Sequence, residues 1–235
     1  AGVHVVHGFP DLKIHAKMTL VVRREADGLR RYVHIGTGNY NATTARIYED
    51  IGLFTADEEI AADVADLFNF VTGFGRPQRF RRLLVAPFDA RERLIEEIDR
   101  VTAGASKQTP ARIRLKLNSL VDPAIIEALY AASEAGVDVE ICARSICMLR
   151  PEVPGLSERI RVRSIVGRFL EHSRIYWFEA GEDVSVFIGS ADLMPRNLDR
   201  RIEVTCPVFD KNIKLELRKI FDIQWEDNVK ARIFN

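Results

Sequence analysis

The sequence predicts an α/β protein in two domains, and three observations lead there. The chain has 235 residues, 47% of them hydrophobic, enough for one large core or two modest ones. Between Arg112 and Ala143 the pattern runs strand, helix, strand, the rhythm of a parallel sheet covered by helices. Nearer the start, strand-like runs surround one long segment of helical periodicity.

The elements follow in order. A strand-like run, Val3 to Val6, begins almost at Ala1, and with no initiating methionine the chain reads as a piece of something longer. LKIHAKMTLVV (Leu12 to Val22) reads as a buried strand that carries a histidine and a lysine; RYVHIG and IGLF read as further strands. Ala56 to Phe74 has apolar residues at helical spacing (Ile60, Val64, Leu67, Phe68, Val71), opened by Thr55 and Glu58 in capping-box positions and stopped at Gly73. A basic connector follows, with Arg76, Arg79, Arg81 and Arg82 around Pro77, and sets the boundary between domains 1–81 and 82–235. LLVAP is the next strand and leads into a helix capped by Asp89, with Glu92 three residues on. RIRLKLNSL is a strand; Asp122 and Pro123 open a helix through Ala135, proline taking the first position where its missing N–H costs nothing. Gly136 stops that helix and VDVEICA is the following strand. Past Pro151 and Pro154 come shorter strands, then a last helix from about Asp210 to Asn228.

Composition narrows the function classes. The 34 basic residues balance the 34 acidic ones, so any affinity for phosphate must come from local clustering. Arginines outnumber lysines 26 to eight; their rigid fork suits phosphate oxygens, though a GC-rich genome gives the same bias. Cys142, Cys147 and Cys206 fit neither a zinc spacing nor an even disulfide framework and read as small buried hydrophobes of a reducing compartment. No run of about 18 apolar residues and no signal-peptide pattern is present, which points to a soluble, cytoplasmic protein.

A self-comparison explains the histidine and lysine in the first strand. His15-x-Lys17 recurs as His172-x-Arg174, each followed by an apolar run. Downstream of each lies a strand entering a small-residue turn, YVHIGTGN (Tyr32 to Asn39) and SVFIGSAD (Ser185 to Asp192). Further on, Arg46 and Glu49 pair with Arg200 and Glu203. Histidine and cation at alternate strand positions share a face, and a glycine turn lets backbone N–H groups approach an anion. Two such halves facing each other form a phosphate site, one histidine attacking in line while the other stands near the leaving oxygen. His4, His7 and His34 receive no role. Lys116 and Asn118 alternate on one strand and are placed on the site side; Arg159, Arg161 and Arg163 are read as a solvated face rather than a path for a long polyanion.

The paired H-x-K/R and G-S/T-x-N/D elements resemble the phospholipase D superfamily, which works through a phosphohistidine between two repeats. That superfamily's usual aspartate five positions after the lysine is absent: Val22 stands there, and Glu179 in the second copy. The fuller resemblance is to the bacterial polyphosphate kinase family. It is carried by GFPDLKIHAKM, YVHIGTGNYNATTARIYEDIGLFT, LKLNSLVDPAIIEALYAASEAGVDVEICARSICMLRP, VGRFLEHSRIYWF and IGSADLMPRNLDRRIEV, and covers nearly the whole chain. It implies the C-terminal catalytic half of such an enzyme. The fold would be two phospholipase D-like domains, each a mixed, largely parallel sheet flanked by helices, the first incomplete.

The resemblance also assigns roles. His15 corresponds to the phosphorylated histidine and His172 to the second active-site histidine, also an ATP contact. Tyr48 and Arg144 match nucleotide-contacting positions. From their own places on the strands and after the turns, rather than from the resemblance, Lys17, Asn39, Lys116, Arg174 and Asn197 are expected to bind phosphate. ATP, ADP and inorganic polyphosphate are the implied partners, with Mg2+ held by positions upstream of Ala1, a homo-oligomeric state, no nucleic acid and at most peripheral membrane association. A phospholipase D-like phosphodiesterase and a non-catalytic polyphosphate-binding or assembly module are the alternatives.

Overall fold

Successive short apolar strands and amphipathic helices fold into three layers. The computed structural model describes residues 2–75, 79–106 and 109–234. The elements are β1 (Lys13–Ile14), β2 (Lys17–Glu25), β3 (Gly28–Gly36), β4 (Tyr48–Glu49), β5 (Gly52–Thr55), α1 (Glu58–Val71), β6 (Leu84–Ala86), α2 (Ala90–Gly104), β7 (Ala111–Leu117), α3 (Pro123–Glu134), β8 (Asp138–Ala143), β9 (Ile160–Ser164), β10 (Leu170–Glu171), β11 (Ile175–Ala180), β12 (Asp183–Gly189), α4 (Pro195–Arg200), β13 (Arg201–Pro207), α5 (Lys211–Trp225) and β14 (Arg232–Phe234).

The main sheet has the order β1-β13-β12-β11-β7-β8-β9-β14, with β6 also paired to β13. The expected βαβ unit is present: β7 and β8 pair in parallel and α3 crosses between them, and β8 continues in parallel to β9. Parallel order elsewhere in this sheet is confined to β1 on β13. β11 and β12 form a hairpin and β11 runs antiparallel to β7, so the sheet is mixed and its parallel ladders are the minority. One face packs on α2 and α3 through Leu94, Ile98, Ile125 and Leu129 against Ile113, Leu115 and Ile141. The other meets α5 through Leu217. A second core joins α1 to β3, β6 and β13 (Ile60, Val64, Leu67, Val33, Val85, Val204).

Several local expectations change. Val3 to Val6 is not a strand; Val3, Val5 and Val6 are exposed and have no ladder partner among the described residues, and a strand without a partner gains nothing for its ordering. LKIHAKMTLVV is not one buried strand: it breaks at His15 and Ala16, leaving β1 in the main sheet and β2 in a separate sheet with β3 and β5. Most of β2 is exposed or half-buried, and Lys17 is its only buried residue. The cap of α1 is Asp57, which accepts from the Ile60 N–H at 2.9 Å, rather than Thr55. The helix stops as read, Gly73 taking φ 87° just beyond it. Asp89 precedes α2 but accepts from the Val85 N–H instead of capping. Asp122 caps α3 with Pro123 at the first turn, and Asp210 caps α5. Of the connector, Arg76 and Pro77 lie outside the described residues. Arg81 binds Asp63 and Asp66, and Arg82 binds Glu59. Cys142 and Cys206 are buried and Cys147 partly so.

Candidate functional site

The break at His15 is what builds the site. After β1 pairs in parallel with Arg201–Ile202, the N–H groups of His15 and Ala16 both donate to the Ile202 carbonyl, at 2.9 and 3.0 Å. The second half repeats the arrangement. β10 pairs in parallel with β4, and the N–H groups of His172 and Ser173 both donate to the Glu49 carbonyl, each at 3.0 Å. Each histidine therefore enters against a strand from the other half and meets the carboxylate one residue further on. His15 Nδ1 lies 2.8 Å from Glu203 Oε2, and His172 Nδ1 lies 2.8 Å from Asp50 Oδ1.

The turns after β3 and β12 complete this frame. Thr37 Oγ1 donates to Asp50 Oδ1 at 2.8 Å and Ser190 Oγ donates to Glu203 Oε2 at 2.5 Å, each hydroxyl and carboxylate being 13 residues apart. The same hydroxyls accept backbone N–H groups from Ile51 and Val204. Asp50 is thus the counterpart of Glu203. The expected pairing of Arg46 and Glu49 with Arg200 and Glu203 is out of register, because sheet pairing across the halves, not spacing from an arginine, sets the match. The equal 13-residue spacing was the signal that could have found Asp50.

Lys17 and Arg174 stand at matching places but differ in kind. Lys17 Nζ is 2.9 Å from His15 Nε2, and burial pulls its pKa down to about 8, against the opposing charge of Glu203. Arg174 is 2% exposed; its Nε and Nη2 bind Asp192 at 3.3 and 3.2 Å, while Nη1 donates to the carbonyls of His172 and Thr37 and lies 3.2 Å from His172 Nε2. Burial lowers the His172 pKa, with Asp50 opposing. Burial alone would raise Asp50, but hydrogen bonds from His172 and Thr37 and the charge of Arg174 leave it below the ordinary carboxylate value. Lys17 senses Arg174 and Asp50, and His172 senses Lys17, so the two halves share one electrostatic centre.

The remaining expected residues divide. The Tyr48 ring lies 4.9 Å from that of His172. Tyr48 and Arg144 line a cleft of about 590 Å³ with Ile47, Val166, Phe169 and Glu171. Arg144 Nε donates to Asn118 Oδ1, and Asn118 in turn binds Asp192, which ties the cleft to Arg174. Lys116 is not placed to meet a phosphate: it is 2% exposed and donates to Ser173 Oγ and the Ser173 carbonyl, beside Glu171. Asn197 is likewise committed, its amide donating to Glu203 Oε1 at 2.8 Å. Both side chains are consumed in holding the histidine segments, which alternation along a strand does not reveal. Asn39 is exposed. Arg159 pairs with Asp138 and Arg163 stacks on Trp225, so neither forms an open polyanion path.

Residues 1–77 match the family described as polyphosphate kinase C-terminal domain 1, and residues 83–235 match polyphosphate kinase C-terminal domain 2. Polyphosphate kinase 1 of Chlorobaculum tepidum is 53% identical over 230 residues, 98% of this chain and 33% of the relative. The polyphosphate kinase of Mycolicibacterium gilvum is 57% identical over 222 residues, 94% of this chain and 30% of the relative. The chain thus spans about a third of the curated relatives it matches. The crystal structure of polyphosphate kinase from Porphyromonas gingivalis superposes with a TM-score of 0.92 at 42% identity, covering 99% of this chain and 36% of that one. Phosphatidylserine synthase of Haemophilus influenzae shares the fold alone, with a TM-score of 0.57 at 13% identity over 86% of this chain and 61% of its own.

Proposed function

Because the chain belongs to the polyphosphate kinase family, as its C-terminal catalytic half, we propose that it carries the site for reversible transfer of the ATP γ-phosphate to inorganic polyphosphate, with His15 as nucleophile. The observation that supports this best is the pair of histidines held by Glu203 and Asp50 in one repeated backbone frame around Lys17 and Arg174.

Glu203 accepts the Nδ1 proton of His15, which leaves the Nε2 lone pair as the nucleophile. Lys17 Nζ stands at that lone pair, where a γ-phosphate oxygen would take over the ammonium. His15 Nε2 attacks the γ-phosphorus; the N–P bond forms, the bond to the β–γ bridging oxygen breaks, and ADP leaves. Glu203 stabilises the cationic ring formed in this step, Lys17 holds an equatorial oxygen, and Arg174, whose donors are taken by Asp192 and the His172 and Thr37 carbonyls, adds its charge from beside His172. His172 supplies a proton to, or steadies, the bridging oxygen; burial, which lowers its pKa, favours the neutral ring before ATP enters, with Nε2 beside Arg174 Nη1. In the second half-reaction a terminal oxygen of polyphosphate attacks the same phosphorus and the N–P bond breaks, restoring His15. Tyr48 and Arg144 hold the nucleotide in the cleft beside His172. Asn39 is retained as a phosphate contact; Lys116 and Asn197 are not.

Mg2+ belongs to this reading only through positions outside this chain. Among the described residues no group of three His, Cys, Asp or Glu side chains is assembled to hold a metal, and no step above is routed through one. The division into domains 1–81 and 82–235, the homo-oligomeric state and a cytoplasmic setting belong to the same proposal; no helix among the described residues is long and apolar enough to cross a membrane.

The test is incubation with ATP labelled on the γ-phosphate, using this chain alone and joined to the preceding part of a polyphosphate kinase relative. Acid-labile, base-stable label that disappears in His15→Ala supports the assignment. Label that persists in His15→Ala refutes it, and turnover of a phosphodiester without labelling favours the phosphodiesterase reading.

A further inference from the structure

The two halves solve one packing problem differently. At the third position of the turn the first half has Gly38 and the second has Ala191, which is 1% exposed. A Cβ built on Gly38 would lie 2.7 Å from Asp50 Cβ and nearer still to its carboxyl carbon and Oδ2. Carbon atoms settle at roughly 3.5–4 Å, so no side chain fits there while Asp50 stays where it is. Asp50 is tethered, its Oδ1 accepting from His172 Nδ1 and Thr37 Oγ1 at 2.8 Å each. Backbone conformation is not the reason for glycine, since Gly38 is not among the residues of positive φ. In the other half the carboxylate stands one methylene further from its backbone, on Glu203, and a methyl group is accommodated.

We propose that Gly38 is a positioning residue for His172: the volume its missing side chain leaves free is the volume in which the Asp50 carboxylate lies, and Asp50 in turn sets the His172 ring. Glycine at 38 is therefore matched to aspartate at 50. The geometric part stands without the phosphotransfer reading; the kinetic consequence rests on it.

The groups that bear on His172 are Asp50 after β4, Tyr48 within β4, Lys17 of β2 and Arg174 beside it on its own segment. The test is an NMR titration of this chain with ¹³C-labelled histidine, comparing Gly38→Ala, Asp50→Gly and the double variant. In Gly38→Ala, His172 is expected to titrate at lower pH than in the unaltered chain, because the carboxylate that favours its cation has moved while burial remains. Asp50→Gly shows the same displacement of His172, and Gly38→Ala adds nothing to it. Should Gly38→Ala alone fail to fold, the double variant must fold, since Asp50 supplies all three atoms nearest the added methyl. An unchanged His172 curve in Gly38→Ala, a further shift in the double variant, or a double variant that stays unfolded overturns the inference. In the longer phosphotransferase, Gly38→Ala lowers kcat by on the order of 10²-fold, as for misplacement of a reacting group by about 1 Å, with KM for ATP little changed. Loss of that kinetic effect with the titration intact counts against the proposed function and not against the packing.

Discussion

Glu203→Gln isolates what the buried carboxylate contributes to His15. Both oxygens of Glu203 receive donors: Oε2 from His15 Nδ1 and Ser190 Oγ, and Oε1 from Asn197 Nδ2. An amide in its place must turn its NH2 toward one of them. Asn197 can adapt, because its Oδ1 is buried without a partner, and a flip of its amide presents that oxygen to the new NH2. The glutamine oxygen then still accepts from His15 Nδ1, the tautomer survives, and only the charge is lost. Two opposite charges about 4 Å apart interact by roughly 4 kcal/mol at an effective dielectric near 20. In the proposed transfer the His15 ring becomes cationic only as the N–P bond forms, so that term would act on the barrier and correspond to nearly a thousandfold in rate. The assay is the rate of acid-labile ³²P incorporation from γ-labelled ATP, with thermal unfolding as a check that the fold persists. Adding Asn197→Ala removes the adaptable partner, lets the amide NH2 turn to Nδ1 and lock the wrong tautomer, and deepens the loss. A Glu203→Gln rate within about threefold of the unaltered protein would show that this carboxylate does not support the charge on His15.

Three further outcomes are expected. Lys17 carries its charge only below about pH 8 in the unliganded site, so phosphorylation of His15 should decline as pH rises through that value, and Lys17→Arg should remove this alkaline limb from the pH–rate profile. Arg174→Lys keeps the charge but cannot span both oxygens of Asp192 as the Nε and Nη2 pair does; a loss of about 1–3 kcal/mol in urea unfolding is expected. Ile141→Ala, in the core beneath α3 and fully buried, should cost about 2–5 kcal/mol in the same measurement while leaving the pH dependence of labelling unchanged.

Much of this protein was legible from residues alone. The β7–α3–β8 unit followed from Asp122 and Pro123 opening one helix and Gly136 closing it between two apolar runs, signals that act within a few residues. The recurrence of His15-x-Lys17 as His172-x-Arg174 announced two similar halves for the same reason, since alternation along a strand is local. What tertiary structure alone decided is who holds whom. Glu203 reaches His15 across 188 residues and Asp50 reaches His172 across 122, in a register fixed when β1 docks on β13 and β10 on β4. Lys116 and Asn197 carry phosphate-binding chemistry yet are spent on Ser173 and Glu203, because a buried donor takes the nearest buried acceptor. Local sequence fixes which groups are available, and long-range pairing fixes which of them face one another.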